Sequence, residues 1–171
     1  QPYQAFAARA AELRPAFAEK IAEFSKRNQS AHLYGAGPGA AMLYSWAGAA
    51  ADIIEAAVVA ETFGDGERLC AGGPSLVSES ESRAVNPDWL IAPAALKREV
   101  LERWREYILQ GGKVLFVTPD VHAVNAGNYA AEFGKSLAGA EGGGGADSLR
   151  SILRAAGGLR VVGGKDARKS A

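Results

Sequence analysis

The chain has 171 residues, 48% of them hydrophobic and 22% charged, which is the composition of an ordinary globular domain and excludes a disordered or fibrous protein. Its 19 basic and 19 acidic residues cancel to a formal net charge of zero, so the sequence lacks the excess of basic charge that nucleic-acid binding requires. With one cysteine, no membrane-spanning apolar stretch and no signal-peptide pattern, it is predicted to be cytoplasmic, with neither nucleic acid nor a membrane as a partner.

The N-terminal segment, residues 2–27, predicts an amphipathic helix. Apolar side chains recur there at spacings of three and four residues or their sum, with charged residues between them. They are Phe6, Leu13, Phe17, Ile21 and Phe24. Pro15 is expected to kink this helix or restart it. Because the chain begins with Gln1 and enters the pattern almost at once, we interpret it as a piece of a longer protein.

A strand, a glycine-rich turn and a helix follow over residues 30–48. Residues 30–34 predict the strand, and the helix, rich in small residues, is predicted over residues 40–48. Between them Gly35, Gly37 and Ala40 fit the pattern G-x-G-x-x-A, in which small residues let backbone N–H groups approach a phosphate at a helix N-terminus.

The predicted phosphate-binding residues are therefore those of this turn and its flanks. They are Tyr34, Gly35, Ala36, Gly37, Pro38, Gly39 and Ala40. Pro38 lacks the N–H that would point at an anion. The alternative interpretation is that the glycines only permit tight packing of the helix on the strand.

The next predicted elements carry a second candidate contact. A strand is predicted in the latter half of residues 53–60, a tight turn at residues 64–66, and a loop with a short edge strand over residues 70–83. Glu61 follows the second strand, where an acidic residue can bind ribose hydroxyls. It could equally be a solvated loop carboxylate.

Alternating strands and helices continue to residue 118. Residues 88–92 predict a strand, residues 93–110 a helix ended by Gly111-Gly112, and residues 113–118 a buried parallel strand. The alternation predicts an α/β fold, a Rossmann-like, mostly parallel sheet flanked by helices and preceded by the N-terminal helix.

His122 is the remaining candidate contact, because it follows a predicted strand on the side where open α/β sheets bind ligands. It could contact substrate, or it could be a lone surface histidine. The sequence offers no metal-ligand cluster, and Cys70 has no partner that would mark it as a nucleophile. We therefore predict no metal site and no catalytic residue.

The C-terminal part predicts less structure. Residues 138–145 are nearly all alanine and glycine and are typical of a flexible connector, with a helix over 148–155 and a strand over 159–162. The predicted organisation is a helix, residues 1–29, packing on a Rossmann-like domain, residues 30–137. Residues 138–171 hold the connector and a C-terminal helix and strand that could belong to the same domain.

Residues 34–119 resemble the C-terminal domain of sugar C-methyltransferases, the multidomain enzymes that use S-adenosylmethionine to methylate nucleotide-linked deoxysugars. The order of segments carries the resemblance: Tyr34-Gly35-Ala36, Leu43, Val58-Val59, Gly66, Pro87-Asp88, Trp89-Leu90-Ile91-Ala92-Pro93, Glu99-Val100, Gly111-Gly112-Lys113 and Pro119. Two positions depart from the family's pattern, which has a lysine at Gly39 and an aspartate at Ala60.

The resemblance implies an accessory domain that binds substrate or holds the assembly and is not catalytic alone. It implies that S-adenosylmethionine and the catalytic residues belong to a separate domain, so that no cofactor is expected here. The expected partners are a nucleotide-sugar or related phosphate ligand and the other domains of the parent chain.

Two alternatives of other classes remain open. In a nicotinamide-dependent oxidoreductase domain, Gly35, Gly37 and Ala40 would cradle the pyrophosphate of NAD(P), and Glu61 would hold ribose. In a ligand-free interaction module, the same fold would only pack against partner domains.

Overall fold

The computed structural model describes residues 2–60, 66–117 and 120–142, and the side chains of residues 8–60, 66–117 and 120–138. Backbone contacts divide the chain into Gln1–Ser136, which holds the sheet, and Leu137–Ala171, of which only the end of a helix is described. Glu61, most of the predicted turn at 64–66, and the predicted elements at 148–155 and 159–162 lie outside the described residues.

The centre of the fold is a six-stranded sheet in the order β3-β2-β1-β4-β5-β6. Its strands are β1 (Ala31–Tyr34), β2 (Ile54–Val59), β3 (Ser75–Ser78), β4 (Trp89–Ala92), β5 (Lys113–Phe116) and β6 (His122–Val124). The first five run parallel and β6 runs antiparallel to β5. Helices flank the sheet, so the predicted α/β fold with a mostly parallel sheet is confirmed.

Two helices cover one face of the sheet. α1 (Pro2–Lys26) packs on α2 (Pro38–Ala47), and a 3-10 helix, Gly48–Ile53, leads from α2 into β2. The core on this face is built from Phe17, Ile21 and Phe24 of α1 together with Leu43 and inward residues of the sheet. The predicted amphipathic helix is confirmed. A kink or a restart was expected at Pro15. The helix continues through Pro15, so it does not restart there.

The opposite face carries a helix that the sequence did not predict. The serine-rich stretch after β3 forms α3 (Glu79–Val85), so the prediction of a loop over this stretch is wrong, although its short edge strand is confirmed as β3. A capping box starts α3: Ser78 Oγ accepts from the Glu81 N–H at 3.2 Å, and Glu81 Oε2 accepts from the Ser78 N–H at 2.7 Å. The serines thus supply a helix N-terminus.

The helix predicted over residues 93–110 is divided. A 3-10 turn, Ala94–Leu96, leads into α4 (Lys97–Arg103), and α5 (Arg105–Leu109) follows after Trp104. Trp104 leaves helical geometry with φ −105° and ψ 16°, and its ring is fully buried against Tyr34 and Tyr107. The break lets the largest side chain of this core point at the sheet.

Two elements close the described chain. β6 was not predicted, and α6 (Tyr129–Gly142) follows it. Because alanine is the strongest helix former, residues 138–142 continue α6, and the prediction of a flexible connector is wrong for them. Residues 143–145 of that predicted connector lie outside the described part.

The outer edge of β3 is covered by the segment before it. Arg68 forms an antiparallel bridge with Ser75, and the Leu76 N–H donates to the Glu67 carbonyl at 2.8 Å. The Arg68 guanidinium donates to the Gly73 carbonyl at 2.8 Å, which closes this loop on itself.

Candidate functional site

The strand order reverses between β1 and β4, which makes the carboxyl edge of these strands a topological switch point. After β1 the chain enters α2 on one face, and after β4 it enters α4 on the other. The two connections therefore leave a crevice between them, which is where open α/β sheets bind ligands. The glycine-rich turn lies on one side of the crevice and Pro93 on the other. A Cβ added at Gly39 would lie 4.0 Å from the Pro93 ring.

The turn itself begins with a residue of positive φ. Gly35 has φ +99°, which favours glycine, and its N–H donates to the Val58 carbonyl at 2.8 Å. Gly37 is the N-cap of α2 with φ −80°, and a Cβ added there meets nothing within 4 Å. Pro38 occupies the first turn of the helix, where a missing N–H costs least.

The seven residues predicted to bind phosphate divide into three groups. Ala36, Gly37 and Pro38 are exposed at the turn, and Gly35 and Gly39 are half-buried beside it. Ala40 is buried in the core under α2, so its small size serves packing. The Tyr34 side chain is buried below the turn.

A cleft of about 320 Å³ opens beside the turn, between the carboxyl ends of β1 and β2 and the start of α4. Its lining is Tyr34, Gly35, Ala36, Val58, Val59, Ala60, Leu96 and Glu99. Ala60 stands where the family pattern has an aspartate. Glu99 is the one carboxylate among these lining residues.

The Tyr34 hydroxyl lies between two carboxylates. It is 3.0 Å from Oε1 of Glu79 and 3.0 Å from Oε1 of Glu99. Burial raises the pKa of Tyr34 well above its usual range, and the hydrogen bonds to both carboxylates raise it further. The phenol is therefore a fixed proton donor, and its single hydrogen must serve two acceptors.

Arginines balance one of these carboxylates. Arg103 Nε lies 2.8 Å from Oε1 of Glu79, and Arg83 donates to Oε2 at 3.1 Å. Arg83 also donates to the Arg103 carbonyl at 2.7 Å, and its guanidinium stacks 4.8 Å above the centre of the Trp104 ring. Glu79, only 8% exposed, is thus paired on both oxygens.

His122 lies in a second polar cluster at the carboxyl edge, where it pairs with Phe116 of β5. Lys97 Nζ is 2.9 Å from His122 Nε2 and 2.6 Å from Oε2 of Glu132. Because an ammonium only donates, His122 Nε2 accepts, which places the ring proton on Nδ1, 3.2 Å from the Asp120 carbonyl. The sequence left open that His122 is a lone surface residue, whereas in the structure both of its ring nitrogens have hydrogen-bond partners.

Glu132 holds this cluster together. It also accepts from Lys135 at 2.7 Å, and the hydrogen bonds from Lys135 and Lys97 lower the pKa of its carboxyl to about 2. The cluster joins α4, β6 and α6 at the edge of the sheet.

The other histidine is a buried structural residue. His32 is 3% exposed, and its Nδ1 lies 2.7 Å from the Ser82 hydroxyl on α3. Burial lowers the pKa of His32, which keeps the ring neutral inside the fold.

A family model described as the C-methyltransferase C-terminal domain matches residues 1–119, more than two thirds of the chain. The chain belongs to this family. The resemblance to C-methyltransferases that the segment order suggested is therefore confirmed, and the match extends it to the first helix. No curated protein matches the sequence significantly.

In this C-methyltransferase C-terminal domain, sequence reasoning missed most residues of the two polar clusters. Glu79 and Arg83 are four residues apart, as are Glu99 and Arg103, a spacing that places each pair on one helix face. That spacing was a usable signal once α3 and α4 were known to be helices. Lys97 and Glu132 left none, because 35 residues separate them.

The described residues form neither a metal-ligand cluster nor a membrane-spanning helix. No group of three histidine, cysteine, aspartate or glutamate side chains in residues 8–60, 66–117 and 120–138 could hold a metal ion. In the same part of the chain, no helix is long and apolar enough to cross a membrane.

Proposed function

We propose that this C-methyltransferase C-terminal domain binds the nucleotide-linked sugar substrate at its switch-point crevice and does not catalyse methyl transfer alone. The observation that carries the proposal is the junction of the Gly35 turn with the cleft that Tyr34 and Glu99 line. An anionic phosphate group suits the turn, and a neutral sugar suits the cleft.

The start of α2 supports a phosphate at the turn. The first N–H groups of a helix have no intrahelical acceptor, and those of Gly39 and Ala40 lie in this first turn. Gly37 leaves open space beside them. The absence of the family's lysine at position 39 leaves the backbone and helix dipole as the source of positive potential.

The polar groups near the cleft support a binding role over a catalytic one. Tyr34 has a raised pKa and donates its hydrogen bond to carboxylates, and both nitrogens of His122 have partners. A general base needs an acceptor atom free to take the substrate's proton, whereas Tyr34 keeps its own proton and His122 Nε2 already accepts from Lys97. We propose that S-adenosylmethionine and the reacting groups are held by other domains of a cytoplasmic parent enzyme.

The end of β2 argues against a nicotinamide cofactor. β2 ends at Val59 and Ala60 follows it, and neither side chain offers a carboxylate to ribose hydroxyls at the position where such cofactors need one. A nicotinamide cofactor would thus depend on Glu61, which lies outside the described residues.

Isothermal titration calorimetry of the full chain with UDP-glucose and dTDP-glucose tests the proposal. We expect binding by the wild type and a roughly 10-fold or greater loss in Gly37→Asp, because a carboxylate would face the phosphate. Gly37→Asn adds the same volume without the charge and should lose much less. Binding of NAD or NADP instead would favour an oxidoreductase domain, and no binding of any of these would favour an interaction module.

A further inference from the structure

The wall of the cleft at the end of β2 carries no hydrogen-bonding side chain. In related dinucleotide-binding folds an acidic residue at the end of the second strand accepts hydrogen bonds from ribose hydroxyls. Here that strand ends at Val59 and Ala60 follows it, and neither side chain can accept a hydrogen bond. Across the same cleft stands Glu99, from the first turn of α4.

We propose that Glu99, positioned by Tyr34, accepts hydrogen bonds from the hydroxyls of a sugar ring bound in this cleft, a role that the side chains of Val59 and Ala60 cannot fill. The inference rests on the proposed function and adds the residue and the chemical group that it recognises.

Glu99 is held in place from one side. The buried Tyr34 hydroxyl lies 3.0 Å from its Oε1, and Trp104 packs edge-on against the Tyr34 ring with 6.3 Å between the ring centres. Among the described contacts Oε2 of Glu99 has no hydrogen-bond partner. Oε1 of Glu99 therefore shares the Tyr34 hydrogen with Glu79, and Oε2 remains an acceptor for a ligand.

Glu99 is exposed and has no direct ion pair among the described residues, where only the nearby charge of Arg103 on the same helix opposes its own. Glu79, which shares the same phenol, is paired with Arg83 and Arg103. Glu99 has no ion pair within 4.0 Å in the part of the chain that the structure describes. A carboxylate in this state repels phosphate and attracts hydroxyl donors, so it orients a nucleotide-sugar with its phosphates at the Gly37 side and a sugar ring at Glu99.

The size of the cleft agrees with one ring. Its volume of about 320 Å³ is at the small end of ligand pockets, which span about 300–1,000 Å³. Val59 and Leu96 supply an apolar surface for the ring, and Glu99 supplies its polar contact.

Calorimetry of the full chain with UDP-glucose, UDP and 2′-deoxy-UDP tests the inference. We expect Glu99→Gln to weaken UDP-glucose binding roughly 10- to 100-fold, since a hydrogen bond to a charged acceptor is lost. Glu102→Gln, on an exposed side chain of the same helix, should leave affinity within about 2-fold. UDP lacks the hexose, so Glu99→Gln should not weaken UDP binding if Glu99 binds the hexose. If Glu99 binds the ribose 2′-hydroxyl, the substitution should weaken binding of UDP but not of 2′-deoxy-UDP.

Tyr34→Phe separates positioning from contact. It removes the anchor but keeps the carboxylate, so binding of UDP-glucose should fall less than in Glu99→Gln, and adding Glu99→Gln to it should cost less than in the wild type. If Glu99→Gln binds every ligand as the wild type does while Gly37→Asp does not, the inference is wrong and the proposed function stands. If the wild type binds none of these ligands, the proposed function fails and the inference fails with it.

Discussion

Lys97 Nζ lies 2.6 Å from Oε2 of Glu132, and this contact ties the start of α4 to α6 across the first residue of β6. Both side chains are largely buried, at 19% and 13% exposure. His122 lies beneath the pair, with its Nε2 bonded to the same lysine. The first residue of β6 is therefore held by this ion pair as well as by the backbone hydrogen bonds between β5 and β6.

Glu132 should make the fold acid-sensitive. The pKa of its carboxyl falls from 4.5 to about 2 in the folded state, so its contribution to stability is present above pH 4.5 and is lost as pH falls toward 2. We expect that contribution to be on the order of 2 kcal/mol, because the exposed Lys135 is screened by water. Urea unfolding at neutral pH and between pH 4.5 and 2 measures it.

The matched variant is Glu132→Gln. It should be less stable than the wild type at neutral pH, and the difference should close near pH 2. Glu102→Gln controls for loss of a surface carboxylate. A difference between wild type and Glu132→Gln that does not change with pH would contradict the assignment.

Ser82→Ala should destabilise the fold by about 1–3 kcal/mol, because it leaves the buried His32 Nδ1 without its partner at 2.7 Å. Ser45→Ala, on an exposed position of α2, should change the free energy of unfolding by less than about 0.5 kcal/mol. Chemical denaturation at neutral pH checks both. Equal effects in the two variants would show that the His32 contact contributes little.

Ser78→Ala should cost about 1 kcal/mol, because the side-chain half of the capping box of α3 is lost. Glu79 lies in the first turn of this helix, so fraying should also disturb its contact with Tyr34. Loss of helical signal and earlier unfolding in circular dichroism test this. An unchanged midpoint would mean that packing alone holds α3.

The two turn glycines should respond in opposite ways to alanine. Gly35→Ala forces a side chain onto φ +99° and should cost about 1–3 kcal/mol. Gly37→Ala meets open space at φ −80° and should leave stability unchanged or raise it by about 0.4–1 kcal/mol. Thermal unfolding of both variants measures the contrast. A large loss in Gly37→Ala would contradict the geometry of the turn.

The spacing and the runs of apolar residues predicted most of the helices and strands. Apolar spacing in α1 and the continuous apolar run of β5 follow from burial, so these elements were visible without the structure. α3 was missed because only two of its seven side chains are buried and its start depends on the capping box. β6 was missed because three residues are too few to show a period.

The candidate site was only partly predictable. The start of the glycine-rich turn has a local signature, because the φ of +99° at Gly35 restricts the residue type there. The pairing of Tyr34 with Glu79 and Glu99 spans 45 and 65 residues, and no local rule connects such positions. The chemistry of the cleft thus depends on topology, which brings β1, α3 and α4 together.

The covered edge of β3 has a consequence for how this domain can meet other proteins. Its outward N–H groups are those of Leu76 and Ser78, and both are already donors, to the Glu67 carbonyl and to Glu81 Oε2. A second chain that tried to extend the sheet there would find no free donor, and the three-residue β6 offers little template at the opposite end. A protein that binds this domain is therefore not expected to do so by adding a strand beside β3.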